Sequence, residues 1–252
     1  MTTPSRRLTV ALSLGLIVAA FFGCSPMPDL SEATAESAYE AGVAAMAAED
    51  YLIAVEAFRR VTDTYPLSPE ADDALLGLAD AHRAVREYAL AENEYLRLTQ
   101  EYPESPLVPE ARYKLGVTYY EQSLPASLDQ TMTRRALSQL NSFLATYPAS
   151  AFASDAEELV DELRARLAEK LFLSAELYLS LNDVDAAGVY FEQVVEDYPD
   201  TPWAPRALRT WERSLREAGE TARADEVRGR LDELYPEEAG EPSPQDGGGS
   251  GS

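Results

Sequence analysis

A pattern of one alanine, ten further residues and then Tyr-Pro constrains the fold of this chain more than any other feature. It occurs five times, always with the alanine twelve residues before the proline. The copies are Ala54 with Tyr65-Pro66, Ala91 with Tyr102-Pro103, Ala136 with Tyr147-Pro148, Ala187 with Tyr198-Pro199 and Ala224 with Tyr235-Pro236. Proline lacks the backbone N–H and clashes with the preceding turn, so each Tyr-Pro is predicted to end a helix.

Between each alanine and its tyrosine, apolar residues recur at helical spacing, as in Ala54, Phe58 and Val61. One face of each helix is therefore apolar. Such a helix and the helix before it form a pair that cannot bury its apolar face alone, so neighbouring pairs must stack. The sequence therefore predicts an all-α fold, a right-handed α-solenoid of five tetratricopeptide-like helix pairs.

The five predicted helix pairs differ in length along the chain. An insertion around residues 124–129 interrupts the third repeat, and the fourth repeat begins with a long helix. Small residues of the first helices fall at Gly42, Ala79, Gly116 and Ala175, and Arg228 replaces a large apolar residue in the last repeat, which predicts a capping variant. The predicted ranges are 32–49, 50–65, 70–85, 87–102, 110–122, 131–147, 154–181, 183–198, 204–218 and 220–235.

Residues 1–23 have the pattern of an export signal, with Arg6 and Arg7 before an apolar run at 8–22. That run is shorter than the roughly 20 residues of a spanning helix. Cys24, the only cysteine, follows this run and Gly23, and the local sequence resembles the lipobox of bacterial lipoproteins. The resemblance implies that the Cys24 sulfur is diacylated, that the chain is cleaved before Cys24, and that the new N-terminus is acylated as well. The alternative is an incidental thiol after an ordinary secretory signal. With Ser25 next, the resemblance implies the outer membrane.

The chain is strongly acidic, with 21 Lys and Arg against 44 Asp and Glu. Removal of residues 1–23 would leave 19 basic residues and a net charge of −25. Binding of nucleic acid by charge is therefore excluded. The acidic surface is interpreted as a solvated surface or, alternatively, as a means of steering a basic partner. Residues 24–31 are predicted to be a tether and residues 239–252, rich in Gly and Ser, a disordered tail.

The sequence offers no catalytic residues, no metal site and no cofactor motif. His82 is the only histidine and is predicted to be packed. The Gly-rich residues near the C-terminus follow no strand, so they do not predict a phosphate loop. We therefore expect a binding scaffold and not an enzyme.

The segment 135–201 carries a more specific resemblance. Its motifs, in order, are Tyr147-Pro148-Ala149-Ser150, Leu167-Ala168, Ala175-Glu176-Leu177-Tyr178, Ala186-Ala187 and Tyr198-Pro199-Asp200-Thr201. Together with the five repeats and the lipobox, they resemble the BamD family, the lipoproteins of the β-barrel assembly machinery. The resemblance covers roughly residues 30–235.

This resemblance implies a periplasm-facing adaptor. Its N-terminal repeats, 32–122, would offer a groove to the C-terminal segments of unfolded outer-membrane proteins, and its C-terminal repeats, 123–238, would dock on a BamA-like barrel protein. Candidate groove residues are Tyr39, Arg83, Tyr113 and Tyr120, and candidate docking residues are Trp203, Arg206, Arg209 and Trp211. The alternative for the tyrosines is packing between repeats, and for Trp211 a place in the core.

A second interpretation is a periplasmic tetratricopeptide protein that coordinates cell-envelope or division factors, similar to the CpoB family. That family normally carries an ordinary signal peptide, so the lipobox favours the first interpretation.

Overall fold

The computed structural model describes residues 32–238 and builds them into helices without any strand. The predicted all-α series of helix pairs is confirmed, and the predicted bounds lie within three residues of those observed. The signal peptide, Cys24, the tether and the C-terminal tail lie outside the described residues. The helices are α1 (Ala35–Ala47), α2 (Tyr51–Thr64), α3 (Ala71–Ala84), α4 (Tyr88–Glu101), α5 (Val108–Glu121), α6 (Thr131–Thr146), α7 (Ala153–Ser180), α8 (Val184–Asp197), α9 (Trp203–Glu217) and α10 (Thr221–Leu234).

The second helix of every pair ends one residue earlier than predicted, just before the tyrosine of Tyr-Pro. These tyrosines have φ between −126° and −135° and ψ between 49° and 61°. A residue before proline is disfavoured in the α region because the proline ring crowds its backbone. Each tyrosine N–H still donates to the carbonyl four residues back, so the helix closes cleanly before the turn.

Some of these tyrosines also tie one repeat to the next. The Tyr102 hydroxyl donates to the Pro66 carbonyl at 2.5 Å, and that of Tyr235 donates to the Pro199 carbonyl at 2.9 Å. Within residues 32–238, the hydroxyls of Tyr147 and Tyr198 donate no such bond. Tyr147 and Tyr198 end the two longer repeats. The bond is thus found where successive Tyr-Pro pairs are 37 residues apart, as for Tyr102 and Tyr235.

Glycines allow the helices of the first repeats to approach closely around one aromatic ring. A Cβ built on Gly42 would lie 2.5 Å from the ring of Phe58, and one on Gly77 would lie 2.7 Å from it. Gly116 has the same relation to Leu140 in the third repeat. Phe58 is therefore held between α1 and α3 at a separation that only glycine permits.

The buried side chains form three clusters along the chain, and α7 joins two of them. Its Leu163 belongs to the cluster of the second and third repeats, whereas Ala168 and Phe172 belong to the C-terminal cluster. The 28 residues of α7, about twice the length of most other helices here, explain how one helix serves both. The long fourth-repeat helix predicted from the sequence is confirmed.

Candidate functional site

The first helices of successive pairs, α1, α3, α5 and α7, lie beside one another and carry the predicted groove residues. Polar contacts join α3 to α5 and α5 to α7 across 34 to 42 positions in the sequence. Arg83 on α3 pairs with Glu121 on α5. The buried Nε of Arg83 has no hydrogen-bond partner among the described residues. The row therefore presents a partly exposed guanidinium that bonds Glu121 through Nη1.

Asp80 is the centre of a polar cluster beneath this row. It accepts a hydrogen bond of 2.5 Å from the hydroxyl of Tyr95, which is fully buried, and one of 2.6 Å from Lys114 Nζ. Lys114 also pairs with Glu110 at 2.7 Å. Burial and the Asp80 carboxylate raise the pKa of Tyr95 well above its ordinary value. Burial alone would lower the pKa of Lys114, but Asp80 and Glu110 raise it overall.

Sequence reasoning missed Asp80 and Lys114. They lie 34 residues apart, on the first helices of consecutive repeats, and no local pattern joins them. One signal in the sequence could have found Asp80. It is a charged residue directly after the small residue Ala79, at a position of α3 that faces the next helix pair. Such a carboxylate needs a partner, and the following repeat supplies it.

The three candidate tyrosines of the groove each contact a neighbouring helix and are partly exposed. Tyr39 lies 5.9 Å from Phe58, and Tyr113 stacks on Phe152 with ring centroids 5.0 Å apart. The Tyr120 hydroxyl donates to Glu162 at 2.6 Å. The packing that was considered as the alternative for these tyrosines is therefore present, although each residue also stays partly exposed.

The candidate docking residues on α9 separate into different surroundings. The exposed Arg206 lies over the rings of both Phe172 and Trp203, 4.8 Å from each centroid. Arg209 is held by Glu238, with 3.0 Å between Nη2 and Oε2. Trp203 and Arg206 thus form one accessible aromatic and cationic surface beside α7.

Trp211 contacts α8 instead of joining that surface. Its ring lies against Gly188, where a Cβ would meet it at 3.0 Å, and 6.5 Å from the Phe191 ring. Its buried Nε1 has no hydrogen-bond partner among the described residues. Trp211 therefore packs against the C-terminal cluster but stays partly exposed.

His82 is packed, as predicted. Only 3% of it is exposed, and its Nδ1 lies 2.6 Å from a carboxylate oxygen of Glu87. Across residues 32–238, no group of three or more His, Cys, Asp or Glu side chains is placed to hold a metal ion. None of the helices described is both long and apolar enough to span a bilayer.

Several solved helical repeat proteins resemble this chain at low sequence identity. A tetratricopeptide repeat protein from Parabacteroides merdae is 17% identical with a TM-score of 0.38, and the match covers 80% of this chain and 67% of that one. MamA is 16% identical with a TM-score of 0.36 and coverages of 81% and 93%. At these TM-scores the likeness carries no weight in assigning the fold, which rests on the ten helices themselves.

Two relatives share more of the sequence, and both are named outer membrane protein assembly factor BamD. The protein from Caulobacter vibrioides is 28% identical over 207 residues, which cover 80% of this chain and 68% of that protein. The protein from Vibrio cholerae is 24% identical over 204 residues, with coverages of 77% and 85%. The family YfiO, described as outer membrane lipoprotein, matches residues 31–231. Because this match includes nearly every helix in full and most of the chain, the protein belongs to the YfiO family of outer membrane lipoproteins.

Proposed function

We propose that this protein is a lipid-anchored scaffold for the assembly of outer-membrane β-barrel proteins. Cys24 carries the acyl anchor, and the repeats face the periplasm. The N-terminal repeats hold the C-terminal segment of an unfolded outer-membrane protein, while the C-terminal repeats dock on a BamA-like barrel protein. The scaffold binds and positions its partners and catalyses no reaction. Family membership and the names of the two relatives support this role.

The observation that carries the groove assignment is the arrangement around Arg83. The guanidinium of Arg83 is partly exposed and bonds Glu121 through Nη1, so its Nη groups are suited to a second carboxylate. The terminal carboxylate of an extended peptide has this chemistry. The partly exposed side chains of Tyr113 and Tyr120 would provide contact area with few rotatable bonds for the peptide side chains that precede this carboxylate.

We expect Arg83→Ala to weaken binding of a peptide that ends in a free carboxylate. The probe is a synthetic peptide with the last residues of an outer-membrane barrel protein, and its affinity is measured by fluorescence anisotropy. Loss of a hydrogen bond to a charged group costs about 1.5–3 kcal/mol, or roughly 10- to 100-fold in Kd.

The matched control for this measurement is Arg97→Ala, since Arg97 pairs only with Glu94 and Glu101 of its own helix, α4. The same peptide with a C-terminal amide tests the carboxylate directly. If Arg83→Ala bound both peptides as the unaltered protein does, the assignment of the groove would be wrong.

The docking surface is tested with Arg206→Glu in a tagged protein. Outer membranes are solubilised in mild detergent, and the proteins that copurify are identified. We expect the unaltered protein to recover a barrel protein with periplasmic repeat domains. We expect Arg206→Glu to lose most of it, because an interface anchor of this type contributes about 2 kcal/mol or more.

Arg223→Glu is the control for the docking experiment, since Arg223 lies on α10 and pairs with Asp185 and Glu220. Recovery of division or peptidoglycan factors without any such barrel protein would favour the CpoB-like role. If Arg206→Glu and Arg223→Glu recovered equal amounts of the barrel protein, the assignment of Arg206 to the docking surface would be wrong.

A further inference from the structure

The insertion of the third repeat, residues 123–130, has a backbone that is held by side-chain hydrogen bonds. The side chain of Gln130 is only 2% exposed, and its Nε2 lies within hydrogen-bond distance of the carbonyls of Leu124, Pro125, Leu128 and Asp129. Its Oε1 accepts a hydrogen bond from the buried Thr133 hydroxyl at 2.8 Å. One buried amide therefore fixes the path of the whole insertion.

The insertion is also fastened to α7. Lys170 Nζ donates to the Ser127 carbonyl at 3.0 Å, and Arg166 donates to the Ser123 hydroxyl. Ala126 of the insertion is buried, with 4% of it exposed. The insertion and this face of α7 thus form one continuous surface.

Exposed leucines occupy this surface. Leu124 and Leu128 of the insertion are 44% and 52% exposed, and Leu177 of α7 and Leu181, the residue that follows this helix, are 60% and 65% exposed. Leu177 lies seven residues after Lys170, and Leu181 four residues further, so the two share the helix face that the insertion contacts. Side chains of this kind on a fixed backbone mark an interaction site more often than scattered apolar residues do.

Two cations, Lys170 and Arg134, lie near the insertion and act electrostatically on its carboxylate, Asp129. Neither has a carboxylate within the ion-pair distance of 4 Å in the part of the chain that the structure describes. The whole sequence has a net charge of −23. Cations without a carboxylate partner beside exposed leucines favour a ligand that combines apolar side chains with carboxylates.

We propose that the insertion surface, Leu124, Leu128, Lys170, Leu177 and Leu181, binds an acidic amphipathic helix of a partner protein. Apolar residues of that helix cover the leucines, and its carboxylates pair with Lys170 and Arg134. An anionic bilayer is disfavoured as the ligand, because the acidic body of the protein would be repelled from it. The surface includes neither Arg83 nor Arg206, so it provides a third site in addition to the two of the proposed function.

The test uses the full-length protein and a designed helical peptide of about 18 residues, five turns in length, with leucines on one face and glutamates at its flanks. Two further peptides replace the glutamates with lysine or the leucines with serine. We expect the acidic peptide to bind at least about tenfold more tightly than either. We expect Lys170→Glu, and the double variant Leu128→Ser with Leu181→Ser, to lose about tenfold in affinity.

Leu67→Ser is the matched control, because Leu67 is 98% exposed and lies in the first Tyr-Pro turn. The circular dichroism spectrum and Tm of each variant establish that it is folded. Equal affinity for the three peptides, or unchanged binding by the variants, would overturn the proposal. A different result would also overturn it. This result is that the double variant abolishes self-association or binding to anionic vesicles while its affinity for the peptide stays unchanged.

Discussion

Phe58→Ala is expected to lower the free energy of unfolding by about 3–5 kcal/mol, the usual range for a buried Phe-to-Ala change. Phe58 is 2% exposed, and its ring fills the space that Gly42 and Gly77 leave between α1 and α3. The two glycines have no side chains with which to refill that space, so relaxation can recover little of the loss. The substitution therefore leaves a cavity between the first and second repeats, and not only within the first helix pair.

Thermal and urea unfolding measure the overall change, and hydrogen exchange shows where it acts. Because repeat proteins unfold in parts, we expect amides of α1 to α3 to exchange faster than those of α8 to α10. Leu52→Ala serves as the control, since Leu52 lies on α2, the same helix as Phe58, but is 70% exposed. This substitution should change the free energy of unfolding by no more than about 0.5 kcal/mol. Equal effects of the two substitutions would show that the ring does not join the repeats.

Asp80→Ala is expected to destabilise the protein by about 3 kcal/mol, near the lower end for breaking a buried ion pair, because both side chains are about one-fifth exposed. The substitution leaves the buried Tyr95 hydroxyl and the Lys114 ammonium without their shared acceptor. Asp80→Asn retains an acceptor oxygen of the same size but not the charge. We therefore expect it to lose distinctly less stability than Asp80→Ala in urea unfolding.

The same cluster gives an expected pH dependence. The folded state raises the pKa of both Tyr95 and Lys114, so above their ordinary values, about 10 and 10.4, the unfolded chain releases protons that the folded protein still holds. Stability contributed by these groups is present below about pH 10 and is lost as the pH rises through the folded pKa values. Asp80→Ala should make the alkaline loss smaller. An unchanged slope between pH 9 and 11 would contradict this role of Asp80.

The sequence predicted the helices well because their signals are local. An alanine at a fixed distance before Tyr-Pro defines the second helix of each pair, and the spacing of 51 residues before Tyr198 already required a long α7. The burial of the repeat alanines and of Phe58 and Phe191 follows from the same periodicity. These features need only the residues within one repeat.

The polar interior of the candidate site could not be predicted in this way. Asp80 meets Lys114 only because consecutive pairs stack at one particular offset, and the sequence does not state that offset. Gly77 was missed for the same reason, since the ring that it accommodates belongs to the preceding repeat. Arg206 was selected by residue type alone, and its place over Phe172 depends on how α9 crosses α7.

The bonds from tyrosine hydroxyls to proline carbonyls divide the scaffold mechanically. Tyr102 fastens the second repeat to the first, and Tyr235 fastens the fifth to the fourth, whereas the turns at Tyr147 and Tyr198 lack this fastening within the described residues. The ends of the solenoid are thus tied through backbone carbonyls, whereas in its middle Arg164 of α7 ties the turn after Tyr198 through Asp200 and the Asp197 carbonyl. Because an ion pair is screened by salt, we expect the link in the middle of the scaffold to weaken as ionic strength rises, while the links at its ends do not.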